Sequence, residues 1–347
     1  MTEINNKVLI IYTGGTIGMM ENNETGALAA VDFSKIEESI PEIKKFDFDI
    51  DTIQFDKPID SSDIDYKVWK KLAEIIKDNY ENYDGFVILH GTDTMSYTGS
   101  ALSFMLQNLN KAVILTGSQL PIGKLRTDGK ENLISAIEIA SKTENGQSVV
   151  PEVCIYFENR LFRANRTIKY NAEYFNAFAS ANYPKLADIG IDIKYHYKYI
   201  HYRTSDSEFE VNTKMEPNVG ILKIFPGISK DFIDSILNTK NLKGLVIESF
   251  GSGNTQTKAW FFQLIDQAIK NGIIIANVTQ CVAGSVRAGK YETSLGLVKA
   301  GVLNGYDITT EAAITKLMFL LAQNYSKEEI KIKFENSQVG EITKINA

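Results

Sequence analysis

The stretch "KVLIIYTGGTIG" (residues 7–18) runs apolar from Val8 to Ile11, meets Tyr12, and breaks at Thr13, Gly14, Gly15 and Thr16. A short run that is apolar at every position suits a strand covered on both faces, the habit of parallel sheets. The same design recurs in "FVILHGTDT" (86–94), "AVILTGSQ" (112–119), "VCIYFENR" (153–160), "LVIESFGSGN" (245–254) and "IIIANVTQC" (273–281). Helical patterns separate these runs: "YKVWKKLAEIIKDNY" (66–80), "SYTGSALSFMLQNL" (96–109), "KENLISAIEIASK" (130–142), "SKDFIDSILN" (229–238) and "AWFFQLIDQAIKNG" (259–272). Strand–helix alternation predicts an α/β fold with mainly parallel sheets, flavodoxin- or Rossmann-like.

At 347 residues the chain is long enough for about two domains. The middle departs from the alternation. "KYHYKYIHYRTSDSEFEVNTKMEPNVG" (194–220) alternates aromatic and polar residues and then turns polar. It predicts a hairpin or paired strands followed by a linker. The expected division is a larger N-terminal domain over 1–205, a linker over 206–218 and a smaller C-terminal domain over 219–347.

Composition narrows the function classes. The formal net charge of -6 argues against a nucleic-acid partner or an anionic membrane, either of which favours a basic face. The apolar run near the N-terminus is too short for a signal peptide or a membrane span. Cys154 and Cys281 stand outside any CxxC or Cys/His cluster, so no structural zinc is expected. The three histidines, His90, His196 and His201, have no metal spacing and are assigned structural places. So few cysteines fit a cytoplasmic protein.

In open α/β sheets ligands bind at the carboxyl ends of the strands, and there the small polar clusters lie. "YTGGTIG" has neither P-loop nor GxGxxG spacing. Either it is a plain turn with a capping threonine, or Gly14 and Gly15 let Thr16 present its hydroxyl to a ligand. In "HGTDTMS" (90–96), Thr92 or Asp93 is either a helix N-cap or part of a site. "NRLFRANRTIKYN" (159–171) spaces Arg160, Arg163, Arg166 and Lys169 three apart. For the arginines a solvated basic face is expected. Lys169 gains a role only if it folds back on Thr92 and Asp93, where a desolvated lysine can act as a base. "DSSD" (60–63) is either the cap before "YKVWKKL" or a donor set for a carboxylate. Cys281 has no evident histidine partner and is assigned to the core or to a ligand contact.

Two threonines at separate strand ends, one beside an aspartate, with a candidate lysine, resemble a hydroxyl-nucleophile hydrolase without a Ser-His-Asp triad. The segments "YTGGTIG", "DSSD", "DGFVILHGTDTMSYTGSALSFML", "TGSQLPI", "RTDG", "NRLFRANRTIK", "FNAFAS", "GSGN", "TQC" and "TTEAAITKL" together resemble the L-asparaginase family, in its cytoplasmic, type I bacterial branch. They follow the expected order over nearly the whole chain. The resemblance implies hydrolysis of L-asparagine to L-aspartate and ammonia without metal or organic cofactor, with minor glutaminase activity allowed. It implies Thr16 as nucleophile and Thr92, Asp93 and Lys169 as a triad. Asp60, Ser61 and Ser62, with Thr92 and Asp93, would hold the amino-acid end of the substrate, and Ser118 the side-chain amide. It also implies a homo-oligomer, a dimer or a tetrameric dimer of dimers. A first strand starting by residue 7 points away from the amidotransferase subunits of the family, which carry an extra N-terminal domain. The joint retention of Thr16, Thr92, Asp93 and Lys169 points away from a non-catalytic binding protein.

The chain departs from the pattern at two places. Some relatives carry a tyrosine in the loop after the first threonine. Here "MMENNETGALAA" (19–30), a candidate lid with Gly26 as hinge, has none, and Ala27 stands near that position. Tyr291 in "AGKYETS" resembles a second tyrosine position used instead. Some relatives also bind asparagine at a regulatory second site through an arginine. The matching position is Glu248, a threonine before the lysine is Ile168, and "TQC" (Thr279, Gln280, Cys281) remains. A glutamate cannot clamp a carboxylate as arginine does, so regulation of that type is not expected.

Overall fold

A computed structural model describes residues 6–21, 28–202, 207–289 and 292–343. The chain divides into two units, Met1–Thr213 and Lys214–Ala347. Both are α/β with parallel strands, as the alternation of apolar runs and helical patterns predicts.

In chain order unit 1 forms β1 (Lys7–Gly14), β2 (Met19–Glu21), β3 (Leu28–Ala30), α1 (Phe33–Ser39), β4 (Asp49–Ile59), α2 (Tyr66–Asn79), β5 (Gly85–Leu89), α3 (Met95–Met105), β6 (Leu106–Gln107), β7 (Ala112–Thr116) and α4 (Gly129–Ser141). It continues with β8 (Thr143–Glu144), β9 (Gln147–Ser148), β10 (Val153–Phe157), β11 (Arg160–Arg163), β12 (Ile168–Lys169), β13 (Phe178–Ala179), β14 (Ala187–Ile189), β15 (Ile193–Tyr195) and β16 (Glu210–Val211). An eight-stranded sheet takes the order β15-β14-β11-β10-β7-β5-β1-β4. The run from β10 to β4 is parallel, and β11, β14 and β15 continue it antiparallel.

Val8, Leu9, Ile10, Ile11, Val87, Ile88, Val113 and Ile114 are all fully buried, because helices or loops cover both faces of these central strands. β4 is a strand that the pattern of apolar runs does not mark. It lies at the sheet edge, largely exposed, with Asp49, Asp51, Lys57 and Pro58 in place of an apolar run. Charges and proline are what an edge tolerates, and they erase the apolar signal.

Other expectations are corrected. The helix expected to Leu109 ends at Met105, because Leu106 and Gln107 pair with Val211 and Glu210. The aromatic stretch from 194 does not form a hairpin by itself. Its regular part is the end of β15, paired with β14 upstream, then a 3₁₀ turn at Tyr197–Tyr199. The arginines do not form a solvated helical face. Arg160 is exposed at the start of β11, whereas Arg163 and Arg166 are buried. Arg163 Nε and Nη2 donate to the Glu152 carboxylate at 2.5 and 3.1 Å, and Nη2 also donates to the Tyr199 carbonyl. The His201 amide donates to the same carboxylate at 2.5 Å. Burial pushes the Arg163 guanidinium down, but Glu152 and Tyr183 beside it together raise it overall.

Unit 2 forms β17 (Val219–Lys223), α5 (Lys230–Leu237), β18 (Gly244–Ser249), α6 (Ala259–Lys270), β19 (Ile274–Thr279), α7 (Glu292–Ala300), β20 (Leu303–Asn304), α8 (Thr310–Leu321) and α9 (Lys327–Glu335). Its four-stranded sheet is wholly parallel, in the order β17-β18-β19-β20. Leu245, Ile247 and Ile275 pack with Phe261 and Ile265 of α6. Lys316 on α8 is fully buried, ion-paired with Glu341, and donates to the Phe334 and Asn336 carbonyls at 2.8 Å. Among the described residues no helix is long and apolar enough to cross a membrane.

Removing one member of a buried ion pair strands the other charge, at a typical cost of about 3–5 kcal/mol. Arg163→Leu is expected to lower the stability of unit 1 by that amount in chemical denaturation. A loss below about 1 kcal/mol, the range of exposed pairs, would contradict a desolvated staple.

Candidate active site

The carboxyl ends of β1, β4, β5 and β7 carry the polar residues singled out in the sequence. Thr13 lies in the buried end of β1, and its hydroxyl donates to the Leu89 carbonyl at the end of β5 at 2.8 Å. Gly15 follows with φ +88°, and a Cβ there would stand 2.5 Å from the Gly91 nitrogen. Only glycine fits both the backbone angle and the contact. The chain then turns through a 3₁₀ helix, Thr16–Gly18, with Thr16 half-buried. The Tyr12 phenol sits between the Gly18 and Val31 carbonyls at 3.2 and 3.1 Å and pins this turn. Burial pushes that phenol up to about 12, so it stays protonated.

The register of β1 with β4 shifts after Tyr12↔Gln54, bringing Ile59 opposite Gly14. The next residue, Asp60, caps a 3₁₀ turn at Ser61–Asp63. The Ser62 amide and hydroxyl both donate to its carboxylate at 2.8 Å and hold it below the usual carboxylate range. The cap of α2 is a different residue, Asp65, whose carboxylate accepts from the Lys67 and Val68 amides. The "DSSD" cluster is thus not spent on capping α2.

Nor are Thr92 and Asp93 spent on capping α3. The N-cap is Thr94, whose hydroxyl donates to the Ser61 carbonyl at 2.7 Å. Lys169 arrives on β12, paired with β13. Its Nζ donates to Thr92 Oγ1 at 2.8 Å and to Asp93 Oδ1 at 2.5 Å. Thr92 is 6% exposed, while the Asp93 side chain is 65% exposed. The approach depends on α3, since a Cβ on Gly99 would meet the Ala164 Cβ at 2.6 Å. Glycine at 99 lets the segment before β12 lie flush against the helix.

At the end of β7, Ser118 is buried and its hydroxyl donates to the Leu120 carbonyl at 2.5 Å. Asp128 accepts from the Gln119 and Leu120 amides and shapes this turn. Gln119, which the sequence reading did not single out, contacts Thr92 at 3.3 Å. The only hint of it is its place directly after Ser118.

Tyr291, Gly26 and Ala27 lie outside the described residues. Glu248, Thr279, Gln280 and Cys281 lie in unit 2. Glu248 accepts from the Thr310 hydroxyl at 2.7 Å and is 3.5 Å from Lys223. Gln280 Nε2 donates to the Ile224 and Glu248 carbonyls, and Thr279 Oγ1 donates to Gly251 O. Cys281 is exposed and does not belong to the core.

Comparison with known proteins places this geometry in context. A family model described as "Asparaginase, N-terminal" matches residues 7–201, and "Glutaminase/Asparaginase C-terminal domain" matches residues 218–334. The chain is 40% identical to L-asparaginase 1 of Escherichia coli (strain K12) over 337 residues, 97% of this chain and 98% of that one. Its structure is similar to L-asparaginase I from Vibrio cholerae, with a TM-score of 0.87 at 39% identity, covering 97% and 99% of the two chains. It is also similar to the thermostable L-asparaginase from Thermococcus kodakarensis, with a TM-score of 0.89 at 30% identity, covering 98% and 100%.

One histidine stands directly under the site. His90 follows β5, fully buried, with Nδ1 2.6 Å from the Gly91 carbonyl and Nε2 2.8 Å from Thr98 Oγ1. Trp69 Nε1 donates to the same hydroxyl. A carbonyl only accepts, so Nδ1 carries the proton and Thr98 donates to Nε2. Burial outweighs the bond to Gly91 and pushes His90 down to about 4. Between pH 6.5 and 4 the unfolded chain therefore binds a proton that the folded chain refuses, and stability falls as pH falls. The expected loss reaches about 3 kcal/mol by pH 4. Denaturation of the wild type and His90→Gln across this window checks it, since the variant should lack that component of the slope.

Proposed function

The chain belongs to the asparaginase family, and on that premise we propose that it is an amidohydrolase converting L-asparagine and water to L-aspartate and ammonia. One observation carries the reading: Lys169 Nζ donates to both Thr92 and Asp93, residues 77 and 76 positions away in sequence. The names of the similar proteins, L-asparaginases of three organisms, support the substrate.

The chemistry divides between two hydroxyls. An alcohol is a poor nucleophile at neutral pH and needs a base or a lowered pKa. In the proposed order, Thr16 Oγ1 attacks the carboxamide carbon. The proton of the Thr16 hydroxyl passes to the amide nitrogen, the C–N bond breaks, ammonia leaves, and an aspartyl ester remains on Thr16. Water then adds to the ester carbon; its proton passes to Thr92 Oγ1 as Thr92 hands its own to the Lys169 amine beside Asp93, the ester C–O bond breaks, and Thr16 Oγ1 takes a proton back as aspartate leaves. Asp60, Ser61 and Ser62 hold the amino-acid end, Asp93 its ammonium, and Ser118 the amide. Asp60 suits a cation, because the Ser62 bonds favour its ionised form. Backbone N–H groups of the glycine-rich turn stabilise the oxyanion. Water is the only co-substrate required. A cytoplasmic location and assembly as a dimer or dimer of dimers belong to the same proposal, and the free, exposed Cys281 fits a reducing compartment.

Ammonia release by the purified protein should be faster from asparagine than from glutamine. Lys169→Met should lower kcat by about 10²–10⁴-fold, the usual worth of a general base. Thr16→Ala should abolish turnover. Near-normal turnover in Thr16→Ala with loss in Thr92→Ala would reverse the two roles.

No asparagine regulation through Glu248 is proposed. Its carboxylate repels another carboxylate and is already bonded to Thr310 and Lys223. Rate against asparagine concentration should be hyperbolic, and a sigmoidal curve would contradict this reading.

A further inference from the structure

Gln119 contacts both the hydroxyl and the hairpin that meet at the triad. Its backbone is held by Asp128, which accepts from the Gln119 amide at 3.1 and 2.9 Å. Its side chain reaches two places at once. Nε2 lies 3.2 Å from the Ala172 carbonyl and 3.1 Å from the Tyr174 carbonyl, and Oε1 lies 3.3 Å from Thr92 Oγ1.

The orientation of this amide follows from its partners. Two backbone carbonyls can only accept, so the group facing them must be the NH2. The oxygen is then turned to Thr92, and it too can only accept. Thr92 has one proton, which goes to Gln119. Lys169 Nζ, 2.8 Å from the same hydroxyl oxygen, is therefore the donor in the Lys169–Thr92 bond. The chain of donation runs from Lys169 to Thr92 to Gln119.

The hairpin is part of this device. Lys169 pairs with Phe178 across β12 and β13, and the Tyr170 and Asn171 amides donate to Ala177 O. At the tip, Asn171 Oδ1 accepts from the Glu173 and Tyr174 amides at 2.7 and 2.9 Å. That turn presents the two carbonyls to Gln119. One side chain thus ties the hairpin that carries Lys169 to the hydroxyl that Lys169 serves.

We propose that Gln119 is a positioning residue that sets the direction of the Thr92 proton and so the polarity of the Thr92–Lys169 bond. In the resting enzyme Thr92 faces Lys169 with a lone pair. Lys169 receives a proton from Thr92 only after that hydroxyl has turned off Gln119. A contact of 3.3 Å is longer than an ordinary O–H···O bond, so the hydroxyl is held weakly and readily gives it up. Gln119 thereby holds the hydroxyl in one rotamer between turnovers without trapping it. This inference rests on the asparaginase reading.

Three variants separate proton direction from simple tethering. Gln119→Leu removes both functions of the amide. Gln119→Glu keeps an acceptor for Thr92 and loses the NH2. Asn171→Ala loosens the hairpin tip and leaves Gln119 intact. Misplacing a group that serves the reacting atoms lowers turnover more than binding. The expected result is a fall of about tenfold in kcat for Gln119→Leu with KM within about twofold. Gln119→Glu should retain more of kcat than Gln119→Leu, and Asn171→Ala should stay within about twofold of wild type. Equal losses in Gln119→Leu and Gln119→Glu would overturn the proposal, because the NH2 tether would then be the whole effect. So would a loss in Asn171→Ala matching Gln119→Leu, or a change confined to KM, which would make Gln119 a substrate contact. Thermal melting of each variant identifies those that fold. The wild-type assay tests the asparaginase reading separately, since failure there is ammonia release absent from the unaltered chain.

Discussion

Parallel strands all end at the same edge of their sheet, and unit 1 depends on that constraint. Neighbouring strands lie about 4.8 Å apart. Thr16 after β1, Asp60 to Ser62 after β4, Thr92 and Asp93 after β5, and Ser118 and Gln119 after β7 are therefore gathered along one edge. The sequence spreads them over more than a hundred positions. Backbones approach closely at this edge: Gly15 lies against Gly91 where β1 and β5 leave the sheet. Bonds between strand ends then lock the edge, Thr13 to Leu89 across β1 and β5, and Thr94 to Ser61 from the segment after β5 to the one after β4.

Lys169 reaches this edge by a different route. It lies beyond the antiparallel strand β11, on a short hairpin outside the main sheet. The arginines before it anchor that route. Arg163 is bonded to Glu152, and Arg166 donates to the Asn182 carbonyl. Spacing alone makes such residues look like a solvated face. Burial is tolerable here only because partners distant in sequence compensate the charge. The small surface of α3 at Gly99 then admits the segment closely enough for an ammonium to touch both Thr92 and Asp93.

The polar groups at the strand ends of the two units differ in how they are spent. In unit 2, Glu248, Thr279 and Gln280 are bonded to Thr310 and to backbone carbonyls of the same unit. In unit 1, Asp93 meets Lys169 with most of its side chain still open to solvent. A carboxylate with remaining acceptor capacity can meet a substrate ammonium; one already bonded and facing a lysine is poorly disposed to meet a substrate carboxylate. His90 shows the opposite extreme, a titratable group buried so completely that it stays neutral.

Runs of buried apolar residues ending in glycine and hydroxyl groups determined the fold class, because covered parallel strands leave that pattern whatever their order. The motifs at those ends determined which residues to watch at the site. Tertiary structure alone decided the rest. It decided that β4 is a strand, since an edge needs no apolar run, and that Thr94 and Asp65 cap α3 and α2, which leaves Thr92, Asp93 and Asp60 for other work. It decided that Arg163 and Arg166 are buried and that Gln119 meets Thr92. These outcomes depend on which distant partner a polar group finds, and no local spacing encodes that choice.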